Sequence, residues 1–149
     1  KCWGSLVNIL DRLKKRWNGI DYPFLIHSNN QLYFNEIINQ KSIDLSKVKS
    51  GDVVAIIGDF NPQSIFTLLH LIDKNVILVP LTKDTKSQHE YFFKSALVDI
   101  VIEENSIKYL KHKDKHDLID YLREKKHAGL ILFTFIKSRL GIASKIPNS

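Results

Sequence analysis

The chain has no Met, a single Cys, and no apolar run that approaches a membrane span. Each absence excludes something. A spanning helix needs about 20 consecutive apolar residues, so no membrane span is expected. One Cys, Cys2, rules out an intramolecular disulfide and a Cys-based metal cluster. Its expected state is a free thiol in a reducing compartment. With no Met even at position 1, the expectation is a trimmed or partial chain. Nor does the start resemble a secretory signal, because Trp3 to Trp17 mixes charges into an amphipathic pattern. The expected location is the cytoplasm.

What is present suits a folded domain. Of 149 residues, 44% are hydrophobic and 26% charged, ordinary values for a globular chain. A chain this long buries roughly 70% of its unfolded surface. The net charge of +6 is uneven. Lys1, Arg12, Lys14, Lys15 and Arg16 face only Asp11 in the first twenty residues, and the tail after Thr134 carries Lys137, Arg139 and Lys145 without an acid. A basic surface can bind nucleic acid or anionic lipid. No RNP, zinc-finger or Gly-rich KH pattern accompanies it, so solvated helix faces explain the charge and no nucleic-acid partner is expected.

Periodicity outlines the elements. Trp3, Leu6, Val7, Leu10, Leu13 and Trp17 form one face of an amphipathic helix ended by Asn18-Gly19, with the two Trp as packing anchors. Pro23–His27 and Gln31–Phe34 predict a hairpin turning at Asn29-Asn30. Asn35 is the expected cap of a short helix to Asn39, with Ile37 and Ile38 inward. Val53–Ile57 is continuous and β-branched, as in a strand covered on both faces. Asn61 then caps a helix with Pro62 at its first position, and Asn75 stops it. Val76–Val79, closed by Pro80, completes a right-handed crossover. Ser87 and Glu90 have capping-box spacing before a helix burying Phe92, Phe93, Ala96 and Leu97. Strands at 99–102 and 106–110 follow, the second at an edge. After the charged loop 111–116 come a helix from Asp117 to Lys126, with Leu118, Ile119 and Leu122 on one side, and a last strand at 127–133. The expected fold class is α/β, a mostly parallel sheet flanked by helices.

No catalytic constellation assembles from spacing. His112 and His116 stand four apart, as metal ligands on a helix do. Lys111, Lys113 and Lys115 around them repel a cation, and no metal site is expected. Cys2 and Ser138 are nucleophile candidates without a neighbouring base. Asp59 lies past the carboxyl end of a strand, where open sheets bind ligands; its simpler role is to organise the next helix start. Phosphate loops aim several backbone N–H groups at an anion, with Gly allowing close approach. After Thr134 only Gly141 is available, and Phe135, Ile136 and Leu140 are bulky. Gly58 alone after its strand is weak evidence.

In order, several segments resemble the AMP-forming acyl-CoA synthetases of the adenylate-forming (acid-thiol ligase) superfamily. They are Leu32-Tyr33-Phe34-Asn35-Glu36, Gly51-Asp52-Val53-Val54-Ala55-Ile56, Phe60-Asn61-Pro62, Leu78-Val79-Pro80-Leu81, Val98–Ile102 and Gly129–Thr134. The last is similar to the strand that enters the family's phosphate loop. The resemblance spans residues 3–134. It implies a ligase that activates a carboxylic acid with ATP to an acyl-adenylate and passes it to a thiol, with Mg and coenzyme A, as in fatty acid metabolism. Thr134 then corresponds to the residue bordering the phosphate loop, the one cofactor-binding position carried over.

The family's Ser/Thr-Gly core and Lys have no counterpart in Phe135–Ser149. The expectation is therefore a partial N-terminal adenylation (AMP-binding) domain over 1–134 and an aberrant, poorly ordered basic tail over 135–149. A reading-frame change accounts for the break; a natural truncation or a divergent loop are alternatives. Such a fragment is expected to bind no cofactor of its own, to be inactive alone, and to associate through an exposed core. The competing reading is a stand-alone α/β interaction module with a basic surface.

Overall fold

The computed structural model describes residues 9–40, 43–59 and 61–133. Helix α1 runs Ile9–Trp17; the expected first two turns, with Trp3, lie outside the described residues. Trp17 is the anchor its spacing suggested. Its ring packs edge-on to Phe24 at 4.9 Å and Tyr22 at 5.5 Å, and stacks on Phe34 at 6.3 Å.

Strands β1 (Leu25–His27) and β2 (Asn30–Leu32) pair as an antiparallel hairpin. The turn is Ser28-Asn29, one residue earlier than expected. Both residues have positive φ, 48° and 65°, the primed geometry that matches strand twist. This register frees Phe34 to open helix α2 (Phe34–Ile38), where Phe34 and Ile37 are buried. Asn35 is not the cap. The Glu36 carboxylate instead accepts the Tyr33 N–H at 2.8 Å, a side chain reaching back to an orphan donor.

The main sheet has five strands in the order β6-β5-β3-β4-β7. Strand β3 (Val53–Ile57) lies at its centre, fully buried and parallel to β4 (Ile77–Leu81) and β5 (Ile100–Glu103). Strand β6 (Ser106–Tyr109) returns antiparallel at one edge, and β7 (Gly129–Leu130) pairs parallel to β4 at the other. Val54, Ile56, Leu78, Ile100 and Ile102 pack beneath helix α3 (Pro62–Asp73). Val53, Ala55, Ile57, Ile77 and Val79 pack beneath α4 (His89–Ser95) and α5 (Asp117–Glu124). Cover on both faces is why β3 and β4 read as unbroken apolar runs.

Pro80 does not close β4; it pairs with Ile56 inside the strand. In a parallel ladder alternate residues bond to opposite neighbours. Ile77 N–H and Leu81 C=O serve the β3 side, while Val76 and Leu78 carbonyls accept from Gly129 and Ile131. Pro80 therefore turns its missing N–H toward β7. It leaves the β3 ladder whole and ends the β7 ladder, so the expected strand 127–133 shortens to two paired residues.

Two further expectations fail. The Ser87–Glu90 capping box does not form, because the chain is already wound as a 3-10 turn over Lys83–Gln88. Nε2 of His89, a buried residue, instead bonds Thr82 O at 2.9 Å and Thr85 Oγ1 at 3.1 Å. Leu118 is exposed rather than packed; α5 buries Ile119 and leans Leu122 on the core. No helix among the described residues is long and apolar enough to cross a membrane.

Candidate functional site: a cleft at the carboxyl edge of the sheet

Strand β3 leads to α3 on one face and β4 leads to α4 on the other. Where neighbouring connections part to opposite faces, the carboxyl ends of the strands leave a crevice. The structure has one there, in two arms that share Ile56, Gly58 and Ser64. The polar arm, about 310 Å³, lies toward β5 and is lined by Asp59, Asn61, Gln63, Lys83, Glu104 and Asn105. The apolar arm, about 220 Å³, lies toward β7 and is lined by Leu68, Pro80, Leu81 and Leu132.

Local sequence chemistry places these groups. Asn61 Oδ1 accepts the Ser64 N–H at 2.8 Å, and Pro62 occupies the first helical position. The expected cap is therefore the observed one. Ile65 N–H bonds the Asn61 carbonyl at 3.1 Å, so most donors of this first turn are already engaged. The Asp59 carbonyl accepts from Asn61 N, which is the organising role expected for Asp59, while its side chain lines the polar arm. Across the mouth, Lys83 Nζ meets Glu104 Oε1 at 2.5 Å. The Glu104 partner raises the Lys83 pKa, and the Lys83 partner lowers that of Glu104. Both are solvent-exposed, so this pair orients the rim rather than stabilising the fold.

The cleft is a poor cradle for phosphates. Its formal charge is that of Asp59 and Glu104 against Lys83, and no Gly-rich run offers free amides. Among the described residues no group of three or more His, Cys, Asp or Glu could hold a metal ion. Thr134, the one carried-over position, lies outside the described residues, as do Cys2, Ser138 and Gly141.

The two His singled out by spacing have separate structural partners. His116 caps α5, its Nδ1 accepting from Leu118 N at 3.3 Å. His112 Nε2 donates to Asp99 Oδ1 at 2.7 Å. Sequence reading missed the hub to which His112 belongs. Asp99 Oδ2 accepts the Val53 N–H at 2.8 Å and Arg123 Nη2 at 2.9 Å. Arg123 Nε also donates to Gly51 O at 2.9 Å. Gly51 is required there twice over: its φ is +87°, and a Cβ would stand 3.0 Å from Arg123 Cγ. The hub ties the amino ends of β3 and β5 to α5, opposite the cleft. The Gly51-Asp52 pair before β3 hinted at a turn, but nothing in the spacing marked Asp99 or Arg123.

No family model matches the chain, and no curated protein matches it. Solved structures do. The N-terminal subdomain of Klebsiella oxytoca NpsA superposes with a TM-score of 0.54 at 16% identity, over 78% of this chain and 32% of that one. NpsA-ThdA, an artificially fused adenylation-PCP di-domain NRPS from Klebsiella oxytoca, gives 0.57 at 16% identity, over 85% and 27%. The chain spans less than a third of the length of either. At such identity the likeness is one of architecture: the chain has the mixed α/β fold of an adenylation domain's N-terminal subdomain.

Proposed function

We propose that this polypeptide is a partial N-terminal adenylation domain of an adenylate-forming ligase, of the acyl-CoA synthetase type, and that it does not catalyse adenylation by itself. The observation that carries the reading is the coincidence of two orders, one of sequence segments and one of folded elements. The segments that resemble the family run from Leu32 to Thr134, and the folded elements they form match an adenylation subdomain in architecture.

In the complete ligase, ATP and Mg would serve to activate a carboxylic acid, with coenzyme A as the acceptor thiol. What this chain brings is scaffold. Strand β3 and the Asn61-capped start of α3 shape one wall of the crevice, and Leu132, after β7, lines its apolar arm. Adenylation requires donors preorganised around the transferring phosphates. Residues 135–149 have no Ser/Thr-Gly run or Pro-Lys to supply them. We take 1–134 as the domain portion and 135–149 as a tail unrelated to it.

The test is acid-dependent exchange between ATP and pyrophosphate by the purified chain. No exchange above the no-acid control is expected with any of a panel of aliphatic and aromatic acids. Exchange that co-purifies with the chain, and that is lost on unfolding it, would overturn the proposal.

A further inference from the structure

A second concavity, of about 520 Å³, lies away from the cleft, between α4, β6 and the loop that follows β6. Its apolar side is Phe93, Leu97 and Leu110, all packed on the core beneath α4. Around them stand Lys94, Lys108 and Lys111, none of which forms an ion pair with any described residue. Glu90 and Asp114 also contribute, so the lining carries three lysines against two carboxylates. His112 is fixed through Nε2 on Asp99, and its Nδ1 is buried without a partner.

From this lining we infer that the groove binds a small amphipathic anion, an apolar body carrying a single acidic head group. The apolar body covers Phe93, Leu97 and Leu110, and the head group sits among the lysine ammoniums. Lysine stems lie along apolar surface while their charged ends stay in water, so the two requirements do not compete. Both are needed. An isolated surface ion pair contributes little, and an apolar contact of this size alone does not select an anion. The cleft at the carboxyl edge has the opposite balance, with Asp59 and Glu104 against Lys83, so an anion is directed away from it. The inference does not depend on the adenylation reading.

The experiment titrates the full chain with octanoate, octanol and acetate, followed by backbone amide spectra. Octanoate should bind with a Kd at or below about 1 mM, and at least about tenfold tighter than either partial probe. Its shifts should centre on Lys94, Lys108, Leu110 and His112. Reversing charge with Lys108→Glu and Lys111→Glu together should weaken octanoate about tenfold or more. If that double variant loses its dispersed spectrum, Lys94→Glu, on a separate element, carries the same expectation. Lys14→Glu on α1 should leave binding unchanged. Equal affinity for the three probes would overturn the inference. So would shifts centred on Gly58 and Leu132, or an equal loss from Lys14→Glu.

Discussion

Replacing Asp99 should destabilise the fold more than any other single polar change among the described residues. Its carboxylate accepts three donors from three places: Val53 N–H, His112 Nε2 and Arg123 Nη2. Asp99→Ala leaves the Val53 amide, at the start of the fully buried central strand, without an acceptor. An orphaned buried donor costs about 1–3 kcal/mol. Arg123 also loses a partner, but its side chain is 33% exposed and it keeps Gly51 O, so water recovers part of that loss. The sum is about 3 kcal/mol. With a urea m-value of about 1–3 kcal/mol/M, the unfolding midpoint should fall by about 1–3 M. Asp99→Asn keeps one oxygen for the Val53 N–H and loses the charge, and should cost about half as much. A loss below about 1 kcal/mol for Asp99→Ala, or equal losses for Ala and Asn, would refute the view that the Val53 amide depends on this carboxylate.

Other outcomes follow from single features. Asn61→Ala should cost about 1 kcal/mol in the same denaturation assay, because it removes the acceptor for Ser64 N–H at the start of α3. Gly129→Ala should cost about 1 kcal/mol, since a Cβ there would stand 2.8 Å from Leu122 Cδ1 and 3.3 Å from Ile77 Cγ1 of the buried strand β4; a neutral result would mean the Leu122 side chain turns aside without loss. His70 packs on Phe66 with its Nε2 buried and unpartnered, and burial lowers its pKa below 6.5 despite the opposing pull of Asp73. The unfolded chain therefore takes up that proton first as pH falls. Stability from this site is full above 6.5 and declines as pH drops through 6.5 toward the lower folded value. His70→Leu should flatten that part of the profile, measured by urea unfolding on both sides of the window; an unchanged slope would contradict the assignment.

Much of the fold was legible because its signals are local. Val53–Ile57 had no polar residue to place outward, and Asn61-Pro62 is a helix start written in two side chains. The failures came from backbone geometry that residue spacing does not encode, set by a distant partner in some places and by the preceding turn in others. Pro80 looks like a strand end until the direction of its missing N–H is known, and that direction depends on where β7 pairs. Ser87 and Glu90 have the right spacing, but the backbone had begun to wind at Lys83. Leu118 fits an apolar stripe, yet α5 turns Ile119 and Leu122 to the core and leaves Leu118 exposed. The cleft was legible only through Asp59 and Gly58. Lys83, at the start of its 3-10 turn, and Glu104 and Asn105, in the turn after β5, reach it from segments that no motif connects.

The nucleotide sequence through and beyond codon 134 tests the central claim most directly. A shifted frame after Thr134 should encode a Ser/Thr-Gly-rich loop ending in Pro-Lys, following directly on the segment that begins with β7. If no frame encodes such a loop, the reading-frame explanation of the break is wrong, and a stand-alone α/β module is favoured for residues 9–133.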